Sequence, residues 1–125
     1  MKPGNPEETE SNCGAVSELL ARIGDKWSVQ VVMRLGDGTR RFSELRRTID
    51  GVSQKMLTTT LRALERDGFV TRTVFPTIPP RVDYALTDLG RELLVPVGAL
   101  GAWAIENRRR VEAARLAFDA RAEAA

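Results

Sequence analysis

The chain has 125 residues, enough for one domain with its own core, and its 42% hydrophobic and 29% charged content describes a globular protein. With a single cysteine, Cys13, and no histidine, an intrachain disulfide, a Cys/His zinc site and a His-dependent catalytic triad are all excluded. The formal net charge is only +2, but Arg40 to Arg81 holds nine Lys/Arg against four acids, a local excess of +5 that leaves −3 for the rest. A basic middle between acidic ends suits a nucleic-acid surface carried on a separate scaffold.

Residues 1–12 are polar, with Pro3, Gly4, Pro6 and three glutamates, and are expected to form a mobile arm. A first helix is predicted from Gly14 to Ile23, with Val16, Leu19, Leu20 and Ile23 on one face and Gly24 at its end. Asp25 can cap a second helix, Lys26 to Leu35, that carries Trp27, Val31, Val32 and Leu35 inward. Gly36-Asp37-Gly38 reads as a turn. Arg40-Arg41-Phe42 is too short for much more than one strand bridge. Ser43 is the expected cap of a short helix ending at Ile49, with Leu45 and Ile49 buried and Arg46 and Arg47 outward.

Ser53 to Gly68 is the best-marked element. Ser53 can cap it, Gly68 can close it in a left-handed conformation, and Leu57, Leu61 and Leu64 form a narrow apolar stripe. Lys55, Thr59, Arg62 and Arg66 fall on the opposite side, Thr58 on the flank and Gln54 at the tip. That face offers donors, acceptors and cations without a carboxylate, which suits the floor of a major groove. A plain solvated helix face has the same composition. The short helix before it, separated by a few residues around Gly51, makes the pair a helix-turn-helix.

Val70–Phe75 alternates with period two and is rich in β-branched residues. Pro76–Pro80 interrupts it, and Val82–Leu86 reads as the antiparallel return strand. A hairpin directly after a helix-turn-helix makes a winged helix, with Arg72 and Arg81 on the wing and Pro79-Pro80 stiffening its tip. Thr87 should cap a long helix to about Asn107, kinked at Pro96 and carrying Leu89, Leu93, Val97, Leu100 and Ala104 on one stripe. Trp103 lies off that stripe. A separate last helix, about Arg110 to Ala122, would carry Val111, Ala114 and Phe118. The expected fold is mainly α with a small β-hairpin wing (α+β). Its divisions are an arm (1–12), a winged helix-turn-helix with its long helix (13–108) and a C-terminal helix (109–125).

Ile23-Gly-Asp-Lys-Trp27, Arg41-Phe-Ser-Glu-Leu-Arg46, Met56-Leu57, Leu61-Arg-Ala-Leu-Glu-Arg-Asp-Gly-Phe-Val70, Pro79-Pro-Arg-Val-Asp-Tyr84 and Leu86-Thr-Asp-Leu-Gly90 occur in order over Cys13 to Trp103. Together they resemble the HxlR-type helix-turn-helix transcriptional regulators of bacteria, winged-helix relatives of the MarR group. Gly98, Gly101 and Gly14 are departures from the pattern. The resemblance implies homodimers built from terminal helices, each subunit placing its reading helix in a major groove of a pseudo-palindromic operator. Physically, a helix bearing Leu93, Leu100 and Trp103, followed by Phe118, needs cover from its own domain or a partner.

The functional expectation is a sequence-specific regulator of double-stranded DNA, a repressor before an activator. Gln54, Lys55, Thr58, Thr59 and Arg62 are its candidate base readers. Ser43, Arg46, Arg47, Arg72 and Arg81 are its candidate phosphate and wing contacts. The alternative is a winged helix that meets another protein, against which the lysine- and arginine-rich middle argues. An enzyme working through Cys13 would lack a histidine base, and no metal or cofactor is expected. Cys13 is expected between the arm and a helix start, where the helix dipole favours a thiolate. The resemblance implies a sensor of oxidants or electrophiles at this place. Packing of a small residue at a helix start is the other reading, and an aromatic ligand near Trp27 or Trp103 a further one. No apolar run approaches the ~20 residues of a membrane span, and a cytoplasmic protein without membrane partners is expected.

Overall fold

The computed structural model describes residues 6–124, with side chains from Cys13 to Glu123 and Ala124. Its elements are helices α1 (Pro6–Gly24) and α2 (Lys26–Leu35), strand β1 (Arg40–Arg41), helices α3 (Phe42–Thr48) and α4 (Gln54–Arg66), strands β2 (Val70–Phe75) and β3 (Arg81–Leu86), and helix α5 (Asp88–Ala124). The sheet is three-stranded and antiparallel in the order β1-β3-β2. The expected single bridge at Arg40-Arg41 is thus a two-residue strand, pairing Arg40 with Tyr84 and Arg41 with Asp83. It ties the start of α3 to the wing.

The core forms where α2, α3, α4 and the sheet meet. Val31, Val32, Leu35, Leu45, Ile49, Leu57, Leu61 and Leu64 are almost wholly buried, and Phe69, Val70, Tyr84, Leu86 and Val97 close around them. Their spacing on each helix is the i, i+3, i+4 pattern of a one-sided apolar stripe. Ser53 accepts the backbone N–H of Met56 at 3.1 Å, and Asp25 accepts those of Trp27 and Ser28 at 3.1 and 3.2 Å, so both expected caps are present. At the other end of α4, Gly68 has φ +85°. The N–H of Phe69 reaches back to the carbonyl of Leu64 at 2.9 Å, closing the helix as a Schellman turn.

The first turn of α5 is seated by two contacts. Thr87 donates its hydroxyl to the Gly68 carbonyl at 2.6 Å and accepts the Gly90 N–H at 3.1 Å. A Cβ on Gly90 would stand 2.1 Å from the Phe69 carbonyl oxygen, so only glycine permits this approach.

Three expectations are corrected. Helix α1 begins at Pro6 and not near Gly14, so most of the segment read as an arm is helical; residues 1–5 lie outside the described residues. Proline suits a first helical position because its missing N–H has no partner there. Ser43 does not cap α3. It lies inside the first turn, while Arg41 precedes the helix and donates its N–H to Glu44 Oε1 at 3.3 Å. Finally, the C-terminal segment 109–125 is no separate helix: α5 runs unbroken for 37 residues through Pro96 and past Asn107. Asn107 donates to the Trp103 carbonyl and accepts from Arg110, and Arg108 pairs with Glu112 one turn on, so the presumed break is bridged by helix-compatible contacts.

Candidate nucleic-acid interface

Helix α4 has one buried and one free side. Leu57, Thr60, Leu61 and Leu64 face the core, while Gln54, Lys55, Thr58, Thr59 and Arg62 are all exposed. The α-helical period makes this split, since Gln54, Thr58 and Arg62 follow one another at i, i+4 and share a row. That row forms one wall of an open groove of about 1060 Å³. The opposite wall is the wing, which supplies Arg72, Arg81 and the tip Thr77–Pro80; Arg41 and Ser43 stand at the end of the groove. Sequence-predicted residues from four elements are thereby brought together. Lys55 and Thr59 lie on the neighbouring row, outside the groove.

Local hydrogen bonds already commit some of these groups. Arg46 Nη1 donates to Gln54 Oε1 at 3.4 Å, which leaves the Gln54 amide N–H groups outward and links α3 to the tip of α4. Thr59 gives its hydroxyl to the Lys55 carbonyl at 2.9 Å, so its free donor is used inside the helix. Arg47 is exposed and outside the groove lining.

Arg81 is the most constrained cation of the set. Its Nε and Nη2 donate to the two carboxylate oxygens of Asp83 at 2.9 and 2.8 Å, and its guanidinium lies 5.0 Å from the centre of the Phe75 ring. Asp83 is nearly buried. The hydrogen bonds from Arg81 hold its carboxyl below the usual carboxylate range against the opposing effect of desolvation, with further help from the charges of Arg81 and Arg41. The same bond raises the Arg81 pKa. Two of the Arg81 donor positions are thus spent on the wing itself, and the residue is more a brace of the hairpin than the free phosphate contact expected of it. Arg72, on the other strand, is exposed and makes no ion pair among those found in the described residues.

Several groove residues were not among the candidates from the sequence, Arg41, Glu65 and Ile78 among them. Glu65 stands three residues after Arg62 and brings a carboxylate to a face read as free of acids. Helical spacing alone could have placed it there. Ile78 is fully exposed at the wing tip, and only the fold of the hairpin reveals that.

Away from the groove, the apolar residues of the terminal helices lack cover. Val16, Leu19 and Leu20 of α1 and Leu100, Trp103 and Phe118 of α5 are all exposed, whereas Leu93 is half-buried against the core. Trp103, Asn107, Val111, Ala114 and Phe118 line a shallow depression of about 680 Å³ along α5. Trp27 packs half-buried against the core with the Lys26 ammonium 4.5 Å from its ring centre. Cys13 is exposed, but it is the eighth residue of α1, two turns from its N-terminus. The dipole argument for a reactive thiolate therefore falls away, because that field acts mainly on the first turn.

A family model described as HxlR-like helix-turn-helix matches residues 22–112, which span the groove, the wing and most of α5. The chain belongs to the HxlR-like helix-turn-helix family. It is 46% identical over 98 residues, 78% of each chain, to the uncharacterized HTH-type transcriptional regulator YtfH of Escherichia coli (strain K12). Among solved structures it is similar to the transcriptional regulator ytfH from Salmonella typhimurium (TM-score 0.77, 45% identity, 80% of this chain and 89% of that one). It is also similar to the redox regulator HypR in its reduced form (TM-score 0.72, 40% identity, 79% and 98% covered). As in its HxlR-like relatives, the winged helix is that of a transcriptional regulator. Among the described residues no helix is long and apolar enough to cross a membrane, and no group of three or more His, Cys, Asp or Glu could hold a metal ion.

Proposed function

We propose that this HxlR-like protein is a sequence-specific regulator that binds double-stranded DNA as a homodimer, acting as a repressor on a pseudo-palindromic operator. The observation that carries this reading is the groove between α4 and the wing, in which the exposed row Gln54, Thr58, Arg62 faces Arg72 across an otherwise open space. The Gln54 amide and the Arg62 guanidinium are group types that pair with base edges, and Lys55, Thr58 and Thr59 are the further proposed base contacts along the helix. Arg46, Arg47, Arg72 and the Ser43 hydroxyl are the proposed contacts to the flanking phosphates. A second copy is the natural cover for the exposed apolar residues of α1 and α5, and twofold pairing of the subunits matches a pseudo-palindrome.

Binding should weaken steeply with salt. A dimer that neutralises about six to ten phosphates has a slope of log K against log[salt] of roughly −5 to −9. Titration of the full-length protein on duplexes it selects from a randomised library measures this slope. A flat response would sink the reading and favour the winged helix as a protein-contact module.

Cys13 is the proposed sensor of oxidants or electrophiles. Its exposure supports this, as does similarity to a protein named a redox regulator. Diamide should release wild-type protein from DNA, dithiothreitol should restore binding, and Cys13→Ser should ignore both. An equal response from Cys13→Ser would move sensing elsewhere, with the depression beside Trp103 as the next candidate for an aromatic ligand.

A further inference from the structure

The wing tip has a chemistry of its own. Between Phe75 and Arg81 the chain reads Pro-Thr-Ile-Pro-Pro, so three of its five residues have no backbone N–H. The one polar side chain, Thr77, donates its hydroxyl to the Pro79 carbonyl at 2.8 Å, and the Thr77 N–H is taken by the Phe75 carbonyl at 2.8 Å. The tip therefore presents no cation and almost no free donor. What it presents is Ile78, whose relative exposure is 101%. Directly behind it the hairpin is braced: Phe75 and Arg81 are cross-strand partners, Arg81 stacks on Phe75, and Asp83 holds the guanidinium with two hydrogen bonds. An apolar point on a stiff base, continuous with a cationic groove, has the form of a wedge for the duplex beside the α4 contact.

We propose that Ile78 is an apolar minor-groove wedge, entering the duplex at the flank of each half-site and partly unstacking one base step. This rests on the DNA-binding reading above and adds the feature of DNA that the wing takes. A tip without donors cannot read base edges by hydrogen bonds. It discriminates through how readily the step opens, so flexible pyrimidine–purine steps are favoured over stiff A-tracts. Arg72 and Arg41, which line the same groove, hold the backbone while the isoleucine side chain leaves water.

The test uses full-length protein and duplexes selected by the wild type from a randomised library, with 2-aminopurine placed successively through the flanks. Wild type should raise 2-aminopurine fluorescence at one flanking step per half-site and lose affinity when that step is replaced by an A-tract. Ile78→Ala should abolish the fluorescence rise, become indifferent to the A-tract and bind about tenfold more weakly, from the apolar surface no longer buried. Ile78→Leu should restore both signals. Because Ile78 touches no core residue, thermal unfolding should be the same for all three proteins. Selection of no duplex by the wild type would overturn the DNA reading and the wedge with it. Salt-dependent binding with fluorescence unchanged between wild type and Ile78→Ala would overturn the wedge alone.

Discussion

Helices α4 and α5 stand in opposite relations to the rest of the chain. In 13 residues α4 buries Leu57, Thr60, Leu61 and Leu64, and what it leaves outside is polar or charged apart from the exposed Met56 and the half-buried Ala63. In 37 residues α5 buries only Gly90 and Val97, while Val95, Leu100, Trp103, Ile105, Leu116 and Phe118 remain exposed. The hydrophobic requirement of α4 is met within its own domain. Its outer face is therefore free to be chosen for contact with a partner. That of α5 is not met, and a surface of this kind drives association. Under the proposed function, the contrast is between α4 as the recognition helix and α5 as the assembly helix.

The sharpest way to break it is to damage the seat of each helix. Leu61→Ala should destabilise the fold by about 2–5 kcal/mol, since a wholly buried leucine leaves a cavity the neighbours cannot close. Gly90→Ala should be comparably harmful, because the added methyl meets backbone and not a flexible side chain. Chemical denaturation measures both, and an unchanged midpoint for Gly90→Ala would mean that α5 does not press against the Phe69 carbonyl.

Arg62→Ala should leave that midpoint nearly unchanged and cost about 1–3 kcal/mol on the selected duplex if the guanidinium pairs with a guanine edge, with a much smaller loss on random DNA. Equal losses on both would reduce Arg62 to a backbone contact. The smallest effect is expected on α5. Phe118→Ala and Trp103→Ala should each weaken self-association by more than about 1 kcal/mol in sedimentation equilibrium while the denaturation of the subunit core changes little. If the wild type is monomeric at all concentrations, the assembly half of the comparison fails.

The local marks of α4 were legible in the sequence because they are short-range. A serine cap, a glycine in the left-handed region and three leucines at helical spacing depend only on neighbours within a few residues, and each is found where expected. The strands were legible for the same reason, from alternation bounded by prolines. The ends of the chain were misread where local marks compete. Pro3, Gly4 and Pro6 suggested an arm, yet Pro6 fits a helix start. The long helix was expected to end near Asn107, yet it continues and the side chains around Asn107 bridge that point.

What the sequence by itself determined is the set of elements, the helix-turn-helix and wing order, the family, and which side of α4 is apolar, because periodicity and capping act over one or two turns of chain. What only the tertiary structure decided is which side chains meet across long separations. Arg81 was a wing cation in sequence and became a brace once Asp83 and Phe75 surrounded it. Glu65 entered the groove, and Cys13 moved from a helix end to a helix middle. Ile78 emerged as a bare apolar tip. The physical reason is the same in each case: exposure and ion pairing are set by neighbours distant in sequence or by the exact reach of an element, and neither is written in the spacing of residues.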